Sequence, residues 1–369
     1  MVALFSEIFS PMPNLTLEEV ARQAGVSRST VSRVINNQAG VKADIRQRVW
    51  DVIHETGYHP NPAARTLASQ RTHLIGLVIP RSVHTFFTDP YFPRLTLGIA
   101  QACNQNDYTL SLFLFHTEDD ERKLFPRIIR KGLVDGLIVQ ATNAADELFV
   151  QLSQAEVPFI IAGRPMNLTD ASYVDVDNFA GAQNAVRHLI RQGYKRIGIL
   201  SGPLNTTAGL DRYQGYRDAI RENGMALDEH LLVEGDFSEA GGYFAARRLL
   251  DSRPDALFIA SDMMALGALR AIREARLSVP DDIGIVSFDD LPPATMASPT
   301  LTTVRQPIRR LGIRLVETLL DIIELGPYPP RRVIFDTELV IRESCGADRN
   351  IREQTNIPRQ SAPGLADAN

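Results

Sequence analysis

The sequence predicts an all-α helix-turn-helix head plus a hinge helix, joined to an α/β core of two doubly wound parallel-sheet lobes. Three observations predict it. Residues 14–58 carry apolar residues at helical spacing, interrupted by a short glycine-containing turn. Beyond residue 72 come short, continuous apolar runs of the kind found in parallel sheets covered on both faces, with helical segments between them. Those runs then recur later in the chain, so one strand–helix set is present twice.

The head opens on Thr16-Leu17-Glu18-Glu19, which fits a capping box: the Thr16 hydroxyl serves the first turn and Glu19 reaches back. Leu17, Val20, Ala21 and Ala24 mark one helical face, and Gly25 offers the left-handed geometry that ends the helix. Ser27 can cap a second helix over residues 28–35, and a third carries Ile45, Val49, Trp50 and Ile53 as far as Gly57. In the second helix Val31, Val34 and Ile35 face inward. Arg28, Ser29, Thr30, Ser32 and Arg33 are left outside. A solvated helix more often uses Glu–Lys pairs four residues apart. Short hydroxyl donors and a terminal Arg suit phosphates and base edges instead. Residues 1–72 hold eight Lys/Arg against six Asp/Glu, a net +2 in a chain of net charge −5, which leaves −7 for the remainder. A slightly basic head on an acidic body permits nucleic-acid binding by the head alone.

Residues 59–72 form a hinge and linker. Pro60 and Pro62 break the preceding structure, while Asn61 can cap a short helix with Pro62 in its first position. Two turns of helix are marginal in water, so this segment should form only against a partner.

In the core, Leu74–Pro80 matches Arg196–Pro203, Val134–Val139 matches Pro254–Ile259, and Val157–Ile161 matches Asp282–Ser287. Helical stretches lie between, at 95–106, 180–192, 212–223 and 263–275. Two such copies make two lobes within residues 73–346: lobe 1 at about 73–173 and 307–336, lobe 2 at about 174–304 and 337–346. Ligands bind outside the carboxyl ends of such strands, and two facing lobes turn that edge into a cleft that can close. Residues 347–369 are polar with Pro358 and Pro363 and read as a disordered tail.

From Leu15 to Glu343 the chain resembles the lactose-repressor (LacI/GalR) family of bacterial transcription regulators. Leu17–Ser27 with Thr30–Asn36 resembles its DNA-binding signature and Tyr58–Leu67 its hinge. Ser261–Ala268, Ser287-Phe288-Asp289-Asp290 and Leu301–Pro307 resemble its second lobe. The resemblance implies periplasmic-binding-protein-like lobes, no cofactor, and a homodimer on a palindromic double-stranded DNA operator. By position, Arg28 and Ser29 resemble the main base-reading pair, and Thr16, Ser27, Thr30, Ser32, Arg33, Asn36 and Tyr58 match residues touching phosphates or bases. In the hinge, with Asn61 and Ala64, Leu67 matches a leucine that wedges into the minor groove.

The resemblance places a small-molecule effector in the cleft. Arg212 and Asp289 match its effector-binding Arg and Asp, Phe237 and Ser261 match further contacts, and Tyr91, Phe92 and Arg164 lie at first-lobe strand ends. An Arg and carboxylates beside aromatic rings suit a sugar, since the guanidinium can donate twice and a ring can cover an apolar face. Purine-binding members carry an additional Arg and Thr where this chain has Thr206 and Ala208, which argues against a purine. Gly163 stands before Arg164 where many sugar-binding members have Asp, and residues 81–89 are longer than usual, adding His84, Phe86 and Phe87 at the cleft mouth.

Other function classes fit less well. There is no Gly-rich phosphate loop with Lys, no His-Glu-x-x-His, no Gly-x-Ser-x-Gly, and the seven histidines lack metal-ligand spacing, so neither an enzyme nor a metal site is expected. A solute-binding protein for transport would share the lobes but would have no use for residues 14–69. Two unpaired-looking cysteines, no 20-residue apolar run and no signal-peptide layout point to the cytoplasm and away from membranes.

Overall fold

The computed structural model describes residues 15–35, 38–58, 71–141 and 148–347, and the chain divides into two compact units, Met1–Thr72 and His73–Asn369. In the head, α1 is Leu17–Ala24, α2 Arg28–Ile35 and α3 Ala43–Thr56. The capping box forms: the Thr16 hydroxyl accepts from the Glu19 amide, and the Glu19 carboxylate accepts from the Thr16 amide at 2.7 Å. Gly25 ends α1 at φ +66°, the left-handed geometry that glycine adopts without cost. Val20, Val31, Val34 and Val49 are fully buried and, with Ala21, Ala24, Ile53 and Tyr58, form the head's core. Trp50 on α3 is 36% exposed and lies beside His54. Asn36, the hinge residues Asn61, Ala64 and Leu67, and the tail from residue 348 lie outside the described residues.

The core holds two six-stranded sheets. The first comprises β1 (Leu74–Ser82), β2 (Thr109–Phe115), β3 (Gly136–Gln140), β4 (Phe159–Ala162), β5 (Tyr173–Val176) and β11 (Arg332–Phe335), in the order β11-β5-β4-β3-β1-β2 with every pair parallel. The second comprises β6 (Ile197–Ser201), β7 (Leu232–Glu234), β8 (Ala256–Ile259), β9 (Gly284–Asp289), β10 (Thr302–Arg305) and β12 (Glu338–Val340), in the order β12-β10-β9-β8-β6-β7. Only β12 runs antiparallel there. Strand for strand, the two orders are the same. The sequence repeat is therefore a repeat of topology.

Helices α4 (Val83–Thr88), α5 (Tyr91–Gln105), α6 (Glu118–Ile128), α7 (Leu148–Ser153) and α13 (Ile308–Leu325) belong to the first lobe. To the second belong α8 (Asn178–Arg191), α9 (Thr207–Glu222), α10 (Glu239–Leu250), α11 (Asp262–Glu274) and α12 (Pro292–Met296). Covering both faces explains why the strands are apolar throughout: Leu77 packs into one cluster and Val78 into another, and both are fully buried. The chain crosses between lobes after β5, β10 and β11. The first crossing comes after Val176, three residues later than expected, because β5 pairs with β4 and β11. Ala347, expected to open the tail, packs into the second lobe's core. Among the described residues no helix is long and apolar enough to cross a membrane.

Candidate functional sites

On the head, α2 begins with a cluster of hydroxyls. Ser27 Oγ accepts from the Thr30 amide at 3.2 Å and lies 2.8 Å from the hydroxyls of both Ser29 and Thr30. Arg28 Nε lies 3.0 Å from the Glu18 carboxylate, with both side chains more than half exposed. Such a pair is worth at most about 1 kcal/mol, so a phosphate or base edge can displace it. It also brings the start of α1, with Thr16, beside the start of α2. Ser29 and Arg33 are exposed and Ser32 is half-buried. Tyr58 differs from the others: its side chain packs into the head's core.

In the core, a cavity of about 800 Å³, counting its open mouth, lies between the carboxyl ends of the two sheets. Tyr91, Phe92, Arg164, Arg212, Phe237, Ser261 and Asp289 all line it. Arg212, on α9, is 4% exposed. Its Nε donates to Asn178 Oδ1 at 2.9 Å, and its Nη1 donates to the Ala260 carbonyl at 2.5 Å and lies 3.4 Å from Asp289 Oδ1. The Phe288 ring stacks beneath it, 3.7 Å from ring centroid to guanidinium carbon. With Nε and Nη1 engaged, Nη2 has no protein partner among the described residues. Asp289, at φ +119°, also accepts from Gln306 Nε2 at 2.6 Å. Burial pushes its carboxyl above the ordinary range, and the Arg212 charge opposes this.

Phe237 adopts φ +67°, a strained value for a residue with a side chain, and its ring lies over Gly202. A Cβ at Gly202 would fall 2.1 Å from the ring, so only glycine admits that placement. Ser261 caps α11, its hydroxyl accepting from the Met264 amide. Burial, followed by the charges of Asp175 and Asp289, pushes the Tyr91 hydroxyl above its ordinary range. Asp290 receives Arg305 and Arg342, each at 2.6 Å. Its neighbour Asp262 is fully buried and accepts from Ser287, Thr303 and the Leu291 amide, tying the ends of β9 and β10 to α11.

Several lining residues escaped the sequence reading: Asp175, Asn178 and Gln306 stand at the lobe crossings, and Met263 follows the α11 cap. Asp175 accepts from the amides of Arg164 and Val176, and burial pushes its carboxyl up to about 6. Polar residues immediately after Val174 and Arg305 were the available signal, since a strand that ends in polar side chains ends at a surface. Among the described residues, Gln140 Oε1 and Thr207 Oγ1 are buried in the lining without hydrogen-bond partners. Unpaired buried acceptors of this kind are what a ligand completes. The expected cleft-mouth aromatics do not line the cavity. Phe86 is buried in the first lobe's core, and Phe87, edge-on to it at 5.0 Å, is 71% exposed. α4 absorbs the extra residues and turns one ring inward and the other out.

The bacterial regulatory proteins, lacI family, match residues 16–61, and the periplasmic binding protein-like domain matches residues 186–345. The HTH-type transcriptional regulator CelR of Thermobifida fusca is 38% identical over 333 residues, 89% of this chain and 98% of that protein. The HTH-type transcriptional repressor PurR of Haemophilus influenzae (strain PittEE) is 34% identical over 337 residues, with the same shares covered. A solved complex of the regulator CelR with cellobiose aligns at TM-score 0.72 and 36% identity, over 89% of this chain and 99% of the other. The Lac repressor dimer bound to operator and the anti-inducer ONPF aligns at TM-score 0.77 and 28% identity, over 90% and 99%. These relatives are transcription regulators rather than enzymes. With helix-turn-helix, paired lobes and full-length relatives in agreement, the chain belongs to the LacI family of bacterial transcription regulators.

Proposed function

We propose that this chain represses transcription in the cytoplasm as a homodimer on a palindromic operator, and that a sugar held in the interlobe cleft sets its affinity for DNA. One observation carries the sugar reading. The cleft surrounds the buried Arg212 with the carboxylates Asp89, Asp175 and Asp289, the amides Gln140, Asn178 and Gln306, and the rings of Tyr91, Phe92 and Phe237. Each sugar hydroxyl both donates and accepts, so mixed carboxylates, amides and a guanidinium serve it, and the rings cover the apolar faces of its C–H groups. Cellobiose in the similar CelR complex supports this class. Thr206 and Ala208, which bring no cation into the cleft, support it over a purine, even though PurR repressors are also relatives. For the head, the proposed contacts are Arg28 and Ser29 with base edges, and Thr16, Ser27, Thr30, Ser32 and Arg33 with phosphates or bases. The operator-bound Lac repressor dimer supports the twofold arrangement.

The test is a thermal-shift screen of the full chain against cellobiose, glucose, lactose, hypoxanthine and guanine, followed by DNA-binding anisotropy with each hit. A sugar should raise the melting temperature and change operator affinity about 5- to 150-fold, the usual span of such couplings. Stabilisation by nucleobases and by no sugar would overturn the ligand class. Selection on random duplexes should return inverted half-sites; a single asymmetric site would overturn the homodimer.

A further inference from the structure

We propose that Asp211 is a positioning residue that latches the two lobes through Arg164, so that this ion pair sets how far the ligand-free cleft stands open. The inference rests on the reading of the cleft as a ligand site. Arg164 follows β4 in the first lobe, and Asp211 lies on α9 in the second. Arg164 Nη2 donates to Asp211 Oδ1 at 2.7 Å and Oδ2 at 2.6 Å. The side chains are 42% and 15% exposed, which places the pair at the cleft's edge. The other ion pairs near the cleft, Arg212–Asp289, Arg305–Asp290 and Arg342–Asp290, stay within the second lobe.

Position makes this contact sensitive to opening. Asn178 and Gln306 stand where the chain itself crosses, and their partners Arg212 and Asp289 both belong to the second lobe, so these contacts do not tie one lobe to the other. Arg164 and Asp211 stand in neither crossing and must part when the cleft opens. A second polar link, from Arg94 to the Asp290 carbonyl, is long at 3.4 Å and exposed.

Both partners are held in place. Gly163, at φ +91°, makes the turn that presents Arg164, and the Arg164 amide donates to Asp175 Oδ2 at 2.9 Å, fixing that turn to the end of β5. Asp211 precedes Arg212 on the same helix, and consecutive helical residues point about 100° apart. One turn of α9 thus carries the latch on one side and the buried Arg212 on the other. A ligand that engages Arg212 therefore acts on the element that bears the latch, while Arg164 itself lines the cavity.

An ion pair of this exposure holds the closed form over the open by about fivefold. The test uses the full-length protein with spin labels at His116→Cys and Asn205→Cys, exposed positions on opposite lobes, since the native Cys103 and Cys345 are both buried. Electron–electron distance measurements without sugar should show a closed-to-open ratio that Asp211→Asn and Arg164→Gln each reduce about fivefold. The double variant should go no further than either single one. Exchanging the charges (Arg164→Asp with Asp211→Arg) should restore the short distance, which a merely structural role would not permit. A closed fraction in Asp211→Asn and Arg164→Gln equal to wild type overturns the proposal. Should Asp211→Asn fail to fold, Arg164→Gln carries the comparison. Titrating cellobiose into the same labelled wild type separates the two readings. A latch effect with no response to cellobiose or the other sugars overturns the sugar reading alone, and closure by cellobiose with no latch effect overturns the latch alone.

Discussion

Replacing Arg212 with lysine tests the heart of the cleft while keeping a positive charge beside Asp289. A lysine can satisfy either the Ala260 carbonyl or Asp289, but its ammonium cannot also reach Asn178 as the guanidinium Nε does at 2.9 Å. It also loses the planar stack over Phe288 at 3.7 Å. One hydrogen bond and one buried cation–π contact together cost about 2 kcal/mol of folding stability. The loss for ligand is separate. The two N–H groups of Nη2 have no protein partner among the described residues, and each hydrogen bond from a charged donor to a ligand contributes about 1.5–3 kcal/mol. Removing even one weakens a sugar at least about tenfold. Isothermal titration with cellobiose, or whichever sugar stabilises the wild type, reads this loss. Operator binding without effector should stay within about twofold, because the head's contacts are untouched. If Arg212→Lys binds the sugar as tightly as wild type, or loses DNA binding when no ligand is present, the assignment of Arg212 is wrong.

Three further outcomes follow from the geometry. Arg28→Ala should relax the preferred base at one operator position by about 1–3 kcal/mol, read by competition between operator variants, with little change in stability since its pair with Glu18 is exposed. Gly202→Ala should displace the Phe237 ring, which its Cβ would meet at 2.1 Å, and abolish the sugar response while leaving the head's operator contacts intact; unchanged sugar affinity would mean that the ring does not touch ligand. Asp175→Asn tests the raised carboxyl. Because the folded-state value, about 6, lies above the ordinary 3.8, the folded chain holds this proton more tightly than the unfolded one. Wild-type stability from this group is therefore fully present below about pH 3.8 and is lost as pH rises to about 6. The variant has no such loss, so its melting temperature relative to wild type should climb between pH 4 and pH 7; a difference that stays flat or falls would refute the shift.

The elements and their repetition were legible along the chain. The capping box at Thr16–Glu19, the glycine stop at Gly25 and the buried valines of α1–α3 are local facts, set by hydrogen bonds and apolar spacing within a few residues. The parallel lobes were legible because strands covered on both faces must be apolar throughout, and Arg212 and Asp289 because they match the effector-binding Arg and Asp of the family that the chain resembles. The pairings that build the cleft depend on groups far apart in sequence. Arg164 finds Asp211, Asp175 finds the Arg164 amide, and Gln306 finds Asp289, and no periodicity encodes such pairings. The outward turn of Phe87, the exposure of Trp50 and the burial of Ala347 likewise follow from which segments fold against them. Local geometry can be read along one segment, but a cleft is made where segments meet, and its charges are set by neighbours that only folding brings within reach.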